Sequence, residues 1–247
     1  MTPDYPTAAD IPGLRQLWKL AFGDTDAFLD SFFSTAYSPD RCHLLKVDGR
    51  VAAALYWFRC SCDEQRIAYV YAVATHPDFR GQGLCRKLMQ ETHALLTRQG
   101  YDAVMLVPQD AGLRKMYAAM GYRDATAVTE FTCQAGEPIP LTELDADAYV
   151  TLRRQFLPAG AVVQEGENLR FLNTYARFYR GDDCLLAVSG SQILELLGSR
   201  ENAPGILAAL GLAEGSFRTP GQDIPYAMFL PLGEYAPMPS YFGFAFD

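Results

Sequence analysis

"THPDFRGQGLCRKLM", residues 75–89, sets two glycines and an arginine directly ahead of an apolar helical pattern. Leu84, Leu88, Met89, Thr92, Leu95 and Leu96 recur at the spacing of one helix face, and Gly100 stands where a helix-ending glycine is expected. Upstream, RIAYVYAVA (residues 66–74) is nearly all apolar and reads as a central strand. The order is therefore strand, glycine turn, helix. A helix start leaves its first backbone N–H groups unpaired and carries a partial positive charge. Glycines there let the backbone approach an anion closely, which is the build of a phosphate site. No Gly-Lys-Ser/Thr follows, so this is not a Walker loop, and the Rossmann G-x-G-x-x-G is absent. Taken alone, Gly81 and Gly83 would equally suit a plain structural turn.

The flanking chain alternates helix and strand periods. Asp10 can cap a helix with Ile11, Leu14, Leu17, Trp18 and Phe22 on one face, and Phe28, Leu29, Phe32 and Phe33 suggest a second helix. Residues 43–47 and 51–58 read as a hairpin around Asp48-Gly49. Residues 103–107 form a short buried strand, 112–120 a helix closed by Gly121, and 126–133 another strand. "GEPIP", residues 136–140, is the best linker candidate. Beyond it, 144–157 and 168–179 look helical, 184–188 and 192–197 form a hairpin pattern, 203–210 a helix and 226–232 a strand. This order weakly echoes the first half and raises an internal duplication.

Composition narrows the class. With 49% hydrophobic and 20% charged residues the 247-residue chain reads as globular, with room for one large or two small domains. The apolar runs fall far short of the roughly 20 residues a membrane span needs. The opening MTPDYPTAAD has neither a basic region nor an apolar run, so no signal peptide and a cytoplasmic location are expected. A net charge of −8 argues against nucleic acid and acidic membranes as partners. The six cysteines show no C-x-x-C pairing. Cys60 and Cys62 share a strand face, but no His/Cys partner pair follows, so no metal is expected and buried reduced thiols are. A homo-oligomer is compatible with all of this.

The stretch "VATHPDFRGQGLCRKLM" resembles the acyl-CoA-binding segment of the Gcn5-related N-acetyltransferase (GNAT) superfamily, whose pattern is Arg/Gln-x-x-Gly-x-Gly/Ala between a strand and a helix. Here it reads Arg80-x-x-Gly83-x-Cys85, with Cys85 departing from the usual Gly or Ala. The resemblance implies an α/β, mixed-sheet fold and acetyl-CoA as co-substrate. It implies that Val73, Ala74 and Thr75 pair with the pantetheine arm. It implies that Arg80, Gly81, Gln82, Gly83, Leu84, Cys85 and Arg86 hold the pyrophosphate. "LVPQDAGLRKMYAAMGY", residues 106–122, resembles a second segment of the superfamily. There Tyr117 matches the tyrosine that protonates the departing thiolate, a role a phenol can fill at neutral pH. Its alternative is a core aromatic. Asp110 stands where many relatives place an Asn near the coenzyme.

The wording around Arg80 looks especially like the enhanced-intracellular-survival group of tandem acetyltransferases. That resemblance implies a coenzyme-binding domain over residues 1–135 and a degenerate GNAT-like domain over 141–247. The group's third, sterol-carrier-like domain is not expected in 247 residues. In the second half, Glu201 would repel phosphate and Pro204 has no N–H to give. A general base is not obvious, since Tyr69 and Tyr71 lie where many relatives carry a Glu. Asp63, Glu64, His76 and a water chain are candidates, and so is Asp247 at the end of "YFGFAFD", for which a packed tail is the alternative. The activity expected is transfer of an acetyl group to an amine of a small molecule or peptide. The alternatives are a CoA-binding sensor without turnover and a purely structural subunit.

Overall fold

In the computed structural model, described for residues 3–234 and 236–246, the chain divides into two units. The first takes the residues up to 60 together with 64–123 and 229–237, and the second takes 61–63, 124–228 and 238–247. Helices α1 (Ile11–Phe22) and α2 (Asp26–Thr35) open the first. Strands β1 (Cys42–Val47) and β2 (Arg50–Cys62) then pair antiparallel across the Asp48-Gly49 turn, both of whose residues have positive φ. There follow β3 (Gln65–Thr75), α3 (Leu84–Arg98), β4 (Ala103–Leu106), α4 (Ala111–Ala118) and β5 (Arg123–Asp124).

The second unit contains β6 (Ala127–Gln134), β7 (Thr142–Leu144), α5 (Ala146–Phe156), β8 (Val163–Gln164), α6 (Glu167–Leu172), β9 (Arg177–Arg180) and β10 (Cys184–Ser189). It continues with β11 (Gln192–Gly198), α7 (Ala203–Ala209), β12 (Glu214–Pro220) and β13 (Ile224–Pro225). The last strand, β14 (Met228–Pro231), belongs from residue 229 onward to the first unit.

The two sheets repeat one topology. The first runs β1-β2-β3-β4-β14-β5, and the second runs β9-β10-β11-β12-β6-β13 with β7 added outside β9. In each, a helix links two parallel neighbours: α3 joins β3 to β4, and α7 joins β11 to β12. The duplication raised by the sequence is thus present in the strand order. The fifth strand in each list is the one the chain order does not foretell. β14 runs in the first sheet and β6 in the second, where β6 pairs with β12 from Val128 to Gln134. The boundary expected at 136–140 therefore falls inside a unit: Gly136 and Ile139 donate to the carbonyls of Pro204 and Gly205 in α7.

Two further expectations are corrected. Residues 177–179, read as the end of a helix, form with Arg180 the strand β9 between β7 and β10. Phe178 is buried and stacks on Tyr149 at 4.1 Å, so alternation across a sheet, not helical spacing, places its aromatic. β12 had no counterpart in the sequence reading. Its Phe217 joins Cys184, Leu186, Ile193 and Ile206 in the second unit's apolar core.

That core surrounds a charged pair. Arg153 on α5 donates two hydrogen bonds to Glu195 on β11, at 2.7 and 2.8 Å, and both side chains are almost wholly buried. Tyr149 and Tyr241 also donate to Glu195, at 2.9 and 3.0 Å, so the carboxylate is fully engaged. Phe244 packs its ring against the Arg153 guanidinium at 4.6 Å, and its backbone exchanges two hydrogen bonds with the buried Gln164 amide. A Cβ at Gly243 would lie 2.0 Å from Glu195 Oε1, so only glycine lets the tail pass this close. The aromatic tail is hence a built part of the second unit's core, whereas Asp247 lies outside the described residues.

The first unit buries a quieter polar contact. His93 on α3 lies 2.8 Å from the Tyr122 hydroxyl, and burial lowers its pKa to about 4. A histidine whose folded pKa lies below its unfolded one stabilises the fold fully above about pH 6.5. That contribution fades as pH falls from there through about 4. In urea titrations across this window, His93→Gln is expected to flatten the loss of stability seen in the unaltered chain. An unchanged slope would contradict the assignment. Glu195→Gln is expected to cost about 3–5 kcal/mol, because it leaves Arg153 charged and buried without a counter-charge. Chemical denaturation monitored by circular dichroism measures this.

Candidate functional site

The site grows from a mismatch between β3 and β4. The two strands pair only at Ile67–Ala103, Ala68–Val104 and Tyr69–Met105. β4 ends at Leu106, while β3 continues through residues 70–75. Within that extension Ala72 has φ +49°, a left-handed conformation in the middle of a strand. For a residue with a Cβ this costs roughly 1–2 kcal/mol, and such strain is concentrated at functional sites. Nothing in the sequence pointed to Ala72, since alanine has no left-handed preference. The kink re-aims the backbone at Val73, Ala74 and Thr75, where Ala74 is buried and its two neighbours half-buried.

The turn after β3 is held from several sides. The His76 amide donates to the Ala52 carbonyl at 2.8 Å, and His76 Nδ1 accepts from the Asp78 amide at 3.2 Å. Arg80 Nε donates back to the Thr75 carbonyl at 3.3 Å. Arg50 reaches Asp78 at 3.2 Å and lies over the Phe79 ring at 5.3 Å. The chain then passes through Gly81 and Gly83, with φ +76° and +74°, and enters α3. Among the described residues, no atom other than those of the adjoining chain lies within 4 Å of where a Cβ would stand at either glycine. Their conformation demands glycine, and the space before them is open. Helix geometry leaves the amides of Leu84, Cys85 and Arg86 without intrahelical partners, at the positive end of a 15-residue helix. This cradle fits a pyrophosphate. Burial pushes the Cys85 thiol up, against the opposing effect of Arg86, so it is neutral at physiological pH and adds no charge there.

α4 brings Tyr117 to this place. Tyr117 is buried, packs edge-on against Tyr122 with ring centroids 5.7 Å apart, and is close enough to Cys85 to feel its charge state. Burial, and secondarily Cys85, raises its pKa well above that of a free phenol, so the proton stays on oxygen. Among the described residues no hydrogen bond engages the Tyr117 hydroxyl, unlike that of Tyr122. Asp110 does a local task as well: it caps α4, accepting from the Leu113 amide at 2.8 Å.

The structure separates the base candidates. Glu64 lies in the turn that precedes β3, with Asp63 beside it. Nine residues of strand separate Glu64 from Val73, roughly 30 Å at full extension, too far to share one reacting centre. His76 is engaged in the turn. Tyr69 stacks on Phe58 at 5.8 Å, and Tyr71 packs against Trp18 at 5.6 Å. Among the described residues no cluster of His, Cys, Asp and Glu could hold a metal ion, and no helix is long and apolar enough to cross a membrane.

Comparison with known proteins agrees with this geometry. Residues 3–125 match the acetyltransferase (GNAT) domain family. No curated protein matches the chain. Among solved structures, a GCN5-related N-acetyltransferase from Anabaena variabilis ATCC 29413 is 15% identical, with 94% of this chain and 73% of that one covered at a TM-score of 0.73. Eis1 from Mycobacterium abscessus is 12% identical, with 94% and 74% covered and a TM-score of 0.71. A tandem GNAT protein from the clavulanic acid biosynthesis pathway is 13% identical, with 95% and 99% covered and a TM-score of 0.60. At such identities the likeness speaks for the fold, and it extends over both units. With its family match, its mixed sheet and its glycine turn leading into α3, the segment 3–125 is a GNAT acetyltransferase domain, and the two units together share the fold of tandem GNAT proteins.

Proposed function

We propose that the first unit transfers an acetyl group from acetyl-CoA to an amine of a small molecule or peptide by direct attack. The observation that carries this reading is the meeting of Tyr117 with the start of α3: a protonated phenol with no protein partner stands beside an open anion cradle. When bound, the coenzyme supplies an activated thioester. Gly81, Gln82, Gly83, Leu84, Cys85 and Arg86 would hold its pyrophosphate through backbone amides, with Arg80 adding charge. Val73, Ala74 and Thr75, on the stretch of β3 that has outrun β4, would pair with the pantetheine arm. The amide near Val73, re-aimed by the Ala72 kink, would steady negative charge on the reacting carbonyl oxygen. Tyr117 Oη would give its proton to the departing sulfur. With Tyr69 and Tyr71 packed as aromatics, the proton of the attacking amine would pass to water. Asp110 would approach the coenzyme only as a helix cap whose carboxylate is already in use.

The second unit is read as a GNAT-like domain without a coenzyme loop. Between β11 and α7 the chain bonds to itself: Ser199 accepts from the Glu201 amide, and Arg200 donates to the Pro220 carbonyl at 3.0 Å. A Cβ at Gly205 would meet Ile139 Cγ2 at 2.6 Å, so the first turn of α7 is covered by residues 137–139. Calorimetry with acetyl-CoA should thus find one site per chain. Gly83→Val should abolish that binding while the fold persists by circular dichroism, because a branched residue resists φ +74° and fills the cradle. Equal affinity would remove the loop assignment. Tyr117→Phe should keep coenzyme affinity and lower turnover by roughly ten- to a thousand-fold, measured over a panel of amines. Undiminished turnover would make Tyr117 a packing residue, and binding without turnover in the unaltered chain would favour a sensor.

A further inference from the structure

We infer that Tyr122 and His93 form a strut that holds Tyr117 in place for proton donation, which makes both of them positioning residues of the acetyl-transfer site. The inference rests on the reading of Tyr117 as the donor to the departing sulfur, and it assigns what aims that donor. Among the described residues no hydrogen bond engages the Tyr117 hydroxyl, so the direction of the phenol is left to packing. That packing comes from Tyr122. Gly121, at φ +97°, reverses the chain after α4, and the Tyr122 amide donates back to the Tyr117 carbonyl at 3.2 Å. The two buried rings meet edge to face, with centroids 5.7 Å apart and planes at 64°.

Tyr122 is in turn fixed at its far end, where its hydroxyl lies 2.8 Å from His93 Nε2. Burial lowers the His93 pKa to about 4, so the imidazole is neutral at physiological pH and the bond joins two uncharged groups. The place of His93 gives the strut its use. His93 stands on α3 eight residues after Cys85, with the buried Met89 halfway between. A spacing of four keeps these three residues along one side of the helix, over about 12 Å. Tyr117 and Tyr122 both lie within electrostatic reach of Cys85. The first turn of α3 supplies the amides of the cradle, and its third turn anchors the ring that packs on the donor. Cradle and donor are thereby referenced to one rigid helix. The demand is physical: proton transfer needs hydrogen-bond reach, and a misplacement of about 1 Å can cost as much as 100-fold in rate.

Tyr122→Phe tests the strut, because it keeps the ring and deletes only the hydroxyl. Crystal structures of the full chain and of this variant, each with coenzyme A bound, are compared. Tyr117 Oη is expected within hydrogen-bond reach of the thiol in the first and displaced by about 1 Å in the second. Turnover is read as release of coenzyme A from acetyl-CoA, with spermidine as the probe amine and, where spermidine is not taken, with water as the acceptor. Tyr122→Phe and His93→Leu should each lower kcat about tenfold and leave KM for acetyl-CoA unchanged. His93→Gln, whose amide can stand where Nε2 stood, should restore most of kcat. In the Tyr117→Phe background Tyr122→Phe should have no further effect, since the two act through one group. An equal loss in both backgrounds would overturn the inference, and so would a Tyr117 that has not moved in the variant. A Tyr117 hydroxyl turned away from the thiol in the unaltered chain, or full turnover in Tyr117→Phe alone, would instead remove the donor reading and the strut with it.

Discussion

The first unit depends on β3 being longer than the neighbour it pairs with. Three register pairs tie β3 to β4, after which β3 runs on past the end of β4, with β2 on its other side, and kinks at Ala72. A strand with no partner on one side presents backbone groups to whatever enters the gap. The same divergence sets the start of α3 and the body of α4 at the gap's margins, which is why Tyr117 and Cys85 come within electrostatic reach of each other. A flush, fully paired sheet would close the gap and leave the glycine turn as a connector with nothing to face.

The second unit shares the strand order and uses it for a different end. Its parallel pair β11–β12, with two register pairs, is even shorter than β3–β4, yet the turn before α7 is occupied by the chain's own bonds and by residues 137–139. Its polar investment lies instead in the core, where Arg153, Glu195, Tyr149 and Tyr241 satisfy one another. Burying an ion pair is seldom a gain over well-packed apolar residues, but breaking one is costly. This network therefore specifies where α5, β11 and the tail must meet, more than it adds to stability. The aromatic tail takes its place from the same network, which gives "YFGFAFD" a packing role throughout its described residues.

Much of the site was legible before any coordinates, because its signals are local. Gly81 and Gly83 sit at positive φ where a turn enters a helix, and that requirement is visible in residue type. The helix after them announces itself by its apolar face. Tyr117 lies at a recognisable spacing from Gly121 and Tyr122. What was not legible is equally specific. Ala72 gives no sign of its conformation. β9 mixes cations and aromatics in a run that suits a helix as well as a strand until Phe178 finds Tyr149.

The amino-acid sequence by itself determined the elements whose information is contained within a few residues: the glycine turn, the faces of α1 and α3, the hairpin at Asp48-Gly49, and through them the family. Tertiary structure decided the membership of each sheet. β6 and β14 carry ordinary strand patterns, and "GEPIP" carries an ordinary linker pattern, yet the strands lie apart from their chain neighbours and the linker lies on α7. Strand partners are chosen by which edge remains open and which apolar face remains uncovered once the other elements have packed. That choice is a property of the assembled units and is not written in any one segment.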